Sequence, residues 1–124
     1  MEAILRELVN NIKENIPGYI GVSVTEMSSG ESLISDSIKD GFDPELASAF
    51  NVEIINAKRK TMETLSIADE LNDIQFSLSN QIHIINISSS GDYFTYLALD
   101  RDKANLGITK RLLNKYKEGL NNEL

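Results

Sequence analysis

Residues 73–99 read DIQFSLSNQIHIINISSSGDYFTYLAL, and this run predicts three successive strands. In the first, Ile74, Phe76 and Leu78 alternate with Asp73, Gln75 and Ser77, the period of a strand with one buried face. Ser79-Asn80 supplies a tight turn. Residues 81–88 are apolar on both sides, with Ile82 and Ile84 on one and Ile85 and Ile87 on the other. Such a strand belongs in the interior of a sheet covered on both faces. Ser89-Ser90-Gly91-Asp92 turns the chain again. In 93–99, Phe94, Tyr96 and Ala98 oppose Tyr93, Thr95, Leu97 and Leu99, a second two-sided strand.

Upstream, Asp43-Pro44 marks a helix start, because Asp43 can cap free amides and proline suits the first turn. The spacing predicts a helix over 44–65, with Leu46, Phe50, Ile54 and Ala57 as its core stripe. Val52, Ile55 and Met62 fall outside that stripe, so the helix is apolar on more than one side. A second packing partner explains the excess; the alternative is that isolated exposed apolar side chains need no cause. Before it lie a strand over 19–26, a turn at Ser28-Ser29-Gly30-Glu31, and a short returning strand over 32–35. Within the first of these, Gly21 can let a neighbour pack close to the backbone.

The first helix spans 2–15, with Ile4, Leu5, Leu8, Val9 and Ile12 on one face, and Pro17-Gly18 ends it. The last begins near Asp102–Asn105, and Leu106, Ile108, Leu112, Leu113, Tyr116 and Leu120 form its broad apolar face. The order is therefore helix, two strands, helix, three strands, helix. It predicts an α/β fold with a five-stranded, mainly antiparallel sheet and helices on both faces. The 124 residues suit one domain, 1–124, with an ordered core over roughly 3–118.

Composition narrows the function. Hydrophobic residues make up 41% and charged residues 25%, an ordinary globular balance. The absence of cysteine excludes disulfides and thiolate chemistry. A net charge of −7 disfavours loose binding to nucleic acid. The N-terminal stretch has neither a basic leader nor a long apolar run, so neither a signal peptide nor membrane insertion is expected, and a cytoplasmic location is.

No catalytic constellation emerges. His83 is the single histidine and sits between Ile82 and Ile84, where a structural role is expected. Asp36, Asp40 and Asp43 lack the ordered ligand pattern of a calcium loop and read as a solvated loop with one helix cap. No serine lies in a Gly-x-Ser-x-Gly elbow, and Gly30, Gly91 and Gly107 form no phosphate-binding fingerprint. Asp69, Glu70 and Asp73 fit an exposed acidic loop as well as paired acid/base carboxylates. Lys58-Arg59-Lys60 is basic, but adjacent helical residues point in different directions. Asn86-Ile87-Ser88 matches the glycosylation pattern by chance, being in a central strand. The expectation is thus no catalytic residue, no cofactor and no metal.

Ile16-Pro17-Gly18-Tyr19-Ile20-Gly21-Val22, Ser29-Gly30-Glu31 and residues 99–107, LDRDKANLG, together resemble the Roadblock family of dynein light-chain-like domains. The resemblance covers about residues 3–118. It implies the fold order above and a homodimer, or a heterodimer of like domains, in which the middle helices pair and the third strands join two sheets. Carried onto this chain, it puts Val52, Ile55, Arg59 and Met62 near the helix interface and Asp73, Gln75 and Ser77 along the joined strand. It also implies docking to a Ras-like small GTPase as a regulator or scaffold. The alternative expectation is a small-molecule sensor, for which the sequence offers no convergent polar set.

Overall fold

The computed structural model describes residues 2–123, without the side chains of 120–123, so the expected contribution of Leu120 lies outside the described side chains. The elements are α1 (Glu2–Asn15), β1 (Tyr19–Glu26), β2 (Ser32–Ser37), α2 (Pro44–Thr64), β3 (Asp73–Ser77), β4 (Gln81–Ile87), β5 (Tyr93–Asp100) and α3 (Leu106–Glu123). They follow the expected order. The sheet order is β2-β1-β5-β4-β3, with every neighbouring pair antiparallel. Strands β4 and β5 are interior, as their two-sided apolar pattern requires, and β2 and β3 are the edges.

One face of the sheet is covered by α1 and α3. Leu5, Leu8, Val9 and Ile12 pack with Val22, Val24, Ile82, Ile84, Leu97 and Leu99, closed by Leu113 and Tyr116. Tyr19 joins this cluster out of alternation with Val22, because the register with β5 shifts between Tyr19 and Gly21. Gly18 lets α1 turn into β1. Its φ is +79°, and a Cβ there would meet the Asp100 carbonyl oxygen at 2.8 Å. That close approach carries the Asp100 N–H to Gly18 O hydrogen bond, 2.7 Å.

Helix α2 covers part of the other face, packing against β1 and β2. Asp43 caps it as expected, its carboxylate accepting from the amides of Glu45 at 3.0 Å and Leu46 at 3.2 Å. Which side of α2 faces inward differs from the sequence reading. The buried residues are Pro44, Ser48, Asn51 and Ile55. Leu46 and Phe50, expected in the core, are each 60% exposed, and Ile54 is 39% exposed. Ala57 is exposed as well.

The cause lies in the strand beneath. The β1 surface under α2 offers Ser23, a small group that permits a close approach, while Gly21 beside it takes the Phe42 ring. Ser23 and Ser48 hydroxyls meet at 2.6 Å, both fully buried. Bulky Leu46 and Phe50 would hold the helix off that surface and strand both hydroxyls without partners, at a cost of roughly 1–3 kcal/mol each. Farther along, Ile55 reaches the apolar cluster of Ile85, Ile87, Phe94 and Tyr96.

Candidate interaction surface

With its small polar side inward, α2 turns an apolar flank outward. Leu46, Phe50 and Ile54 repeat every four residues, and Ala57, Thr61 and Leu65 extend the same side of the helix. Glu45 lies on the opposite flank, where its carboxylate accepts from the Ser35 hydroxyl of β2 at 2.9 Å. The apolar flank therefore turns away from the β2 edge, toward the β3 side of the sheet. There β3 adds Ile74 and Phe76, half-buried against the Ile85–Ile87 cluster.

The register of β3 decides what its open edge offers. Leu78 N–H donates to Gln81 O and Ile87 N–H to Asn72 O, both at 2.9 Å. In an antiparallel pair the hydrogen-bonded positions alternate, so Ile74 and Phe76 share the bonds to β4. Asp73, Gln75 and Ser77 direct their backbone N–H and C=O groups outward, and their side chains are exposed. Arg101 braces the end of this edge, donating to the Ser77 hydroxyl and to Leu78 O, the latter at 2.8 Å.

The structure brings the two halves of the expected interface to different places. Asp73, Gln75 and Ser77 stand on the open edge. Val52, Ile55, Arg59 and Met62 do not form the outer side of α2. Ile55 is fully buried under its own helix. Val52 packs against the same cluster. Arg59 is half-buried, with a guanidinium N–H on Gly91 O at 3.4 Å. The outward residues are Leu46, Phe50 and Ile54, which the sequence reading placed in the core. Ser23 of β1 suits Ser48, not Leu46 or Phe50, and only the fold shows that the two meet.

Under the N-terminal end of α2 lies a cluster of hydrogen-bonded rings. His83 has a partner on each ring nitrogen, Gln81 Oε1 at 2.7 Å and the Tyr96 hydroxyl at 2.9 Å. Phe42 stacks on Tyr96, with centroids 6.4 Å apart, and presents an edge contact to His83 at 6.0 Å. Burial lowers the His83 pKa and pushes that of Tyr96 up to about 12. Both groups are therefore held neutral at pH 7, and their hydrogen bond ties β4 to β5.

Asp36 is no loop residue. It lies in β2, where it accepts from the Tyr19 hydroxyl at 2.5 Å and pairs with Lys13 at 3.3 Å. Burial, with the Asp36 carboxylate beside it, raises the Tyr19 pKa. Asn86 is buried and donates to Asn114 Oδ1 at 3.3 Å, which ties β4 to α3. Among the described residues no group of three or more His, Cys, Asp or Glu side chains is placed to hold a metal ion. Among them too, no helix is long and apolar enough to cross a membrane.

No family model matches the sequence, and no curated protein does. Solved structures do share its fold. MglB of Myxococcus xanthus superimposes with a TM-score of 0.76 at 13% identity, over 95% of this chain and 89% of that one. A Roadblock/LC7 domain from Streptomyces avermitilis gives 0.78 at 8% identity, over 99% and 96%. A structure described as MglB with tetrameric arrangement gives 0.75 at 15% identity, over 96% and 85%.

Proposed function

We propose that this chain, whose fold is of the Roadblock type, is a non-enzymatic scaffold that pairs with a second copy of itself and docks a Ras-like small GTPase. A heterodimer with a like domain would use the same surface. The observation that carries the pairing is that the fold leaves both an apolar helix flank and a strand edge uncovered. Leu46, Phe50 and Ile54 are exposed on α2, and the β3 edge is open, with the Asp73, Gln75 and Ser77 backbone groups pointing outward. Exposed edges invite further strand pairing, and clustered exposed apolar groups favour cover.

Pairing β3 antiparallel with β3 of a second copy extends the sheet from five strands to ten. With Gln75 on the twofold axis, Asp73 of one copy lies opposite Ser77 of the other, and like charges are kept apart. The same register sets Ile74 against Phe76, and the two α2 flanks then approach over the joined sheet. The self-association of a solved counterpart, MglB in a tetrameric arrangement, agrees with this reading. The GTPase is supported by the sequence motifs at 16–22, 29–31 and 99–107 that resemble the family.

Light scattering after size-exclusion chromatography, over a dilution series, tests the pairing. A mass of twice the chain, reduced to one chain by Phe50→Glu, is the expected result; a folded monomer at every concentration rejects it. Binding of Ras-like GTPases in GDP and GTP-analogue states then tests the partner. Failure of every such GTPase to bind in either state removes that half of the reading and leaves the dimer standing.

A further inference from the structure

At the far end of α2 from the Asp43 cap, a cleft of about 510 Å3 opens between that helix, the loop to β3, the β4–β5 turn and α3. This volume falls within the range of roughly 300–1,000 Å3 that small-ligand sites occupy. Its lining carries charges of both signs. Arg59 and Lys117 border the β4–β5 turn, Arg59 being held there by its bond to Gly91 O. Glu63 in the last turn of α2, and Asp69 and Glu70 in the following loop, supply carboxylates. Met62 and Leu71 add half-buried apolar surface to the lining.

Among the described residues the ion pairs within 4 Å are Arg6–Glu2 and Lys13–Asp36, and neither lies here. The cleft thus holds two cations and three carboxylates with no ion-pair partner within 4 Å among the described residues, together with apolar surface. A ligand that carries both a carboxylate and an ammonium group, joined by apolar substance, satisfies all three parts at once.

We propose that this cleft binds a short zwitterionic peptide. Its carboxylate sits against Arg59 and Lys117, where the planar guanidinium can donate two parallel hydrogen bonds. Its ammonium sits against Glu63, Asp69 and Glu70, and its apolar side chains lie on Met62 and Leu71. The convergent polar set that a ligand sensor needs is assembled from four separate segments, 59–63, 69–71, 88–91 and 117. Arg59 and Glu63 lie away from the Leu46–Phe50–Ile54 flank, and the inference does not rest on the proposed dimer.

The test is an amide NMR titration of the intact chain with L-leucyl-L-leucine, its N-acetylated form and its C-terminal amide. The expected result is saturable shifts confined to residues 59–63, 69–72 and 88–91, with each blocked form binding about tenfold more weakly, the loss of one charge-assisted contact. Lys117→Gln should weaken the free peptide but leave binding of the amide unchanged, because the lost cation faces the carboxylate. Arg59→Gln should do the same, with circular dichroism as its check on folding. The absence of saturable shifts in the cleft overturns the proposal. So do blocked peptides that bind as well as the free one, or shifts that map instead to Phe50 and Ile54. Light scattering on Lys117→Gln should still give the mass of the wild type, which separates this site from the pairing surface.

Discussion

Gly21 shows how much one missing side chain decides. A Cβ there would lie 3.0 Å from the Phe42 ring and 3.1 Å from the Asp36 carbonyl oxygen. Gly21→Val forces the ring out or the strand apart, and should lower stability by about 1–3 kcal/mol in a denaturant titration. His83 makes a different prediction. Burial lowers its pKa in the folded state, so the unfolded chain takes up the proton first as pH falls. Its contribution is therefore full above the unfolded value of about 6.5 and is lost as pH drops from there through the lower folded value. Carboxylates also titrate on the acid side, so the measurement is a difference. The fall in melting temperature between pH 7.5 and 5.5 should be smaller in His83→Gln than in the wild type, and equal slopes would contradict the assigned environment.

At the scale of elements, α2 is the instructive case. Its buried and exposed residues should respond in opposite ways to truncation. Ile55→Ala empties a fully buried site and should cost about 2–5 kcal/mol of folding stability. Phe50→Ser should leave the fold of the single chain within about 0.5 kcal/mol of the wild type and act on self-association instead. Loss of the Asp43 cap in Asp43→Ala should cost about 1 kcal/mol, because two amides of the first turn lose their acceptor. Strand β3 allows a cleaner separation still. Gln75 directs its N–H away from β4, so Gln75→Pro removes an outward donor without breaking the ladder within the chain. Circular dichroism should stay native-like while the sedimentation-equilibrium mass falls toward one chain. A native-like variant that keeps the dimer mass would exclude β3 as the joining strand.

At the scale of the whole molecule, a net charge of −7 would repel a second copy unless the contact were apolar and built on backbone hydrogen bonds. The α2 flank and the β3 edge meet both conditions. Dimer affinity should therefore tighten as salt screens the like net charges, and a dissociation constant that rises steeply with salt would point to an ion-paired interface elsewhere. Much of this architecture was legible in the residues. The eight elements, their order, the interior position of β4 and β5 and the cap at Asp43 follow from local periodicity and turn chemistry, which act over a few residues and need no knowledge of what lies across the core. The edge position of Asp73, Gln75 and Ser77 came from the family-like motifs, and the register of β3 against β4 then showed which of their groups are open. What the sequence alone could not decide was the rotation of α2 and the cleft at its end. A helix rich in Leu, Phe and Ile offers several apolar sides, and the one that turns inward depends on the strand beneath. Only the fold places Ser23 under Ser48, and only the fold gathers Arg59, Glu63, Asp69 and Lys117, up to 58 positions apart in the chain, around one space.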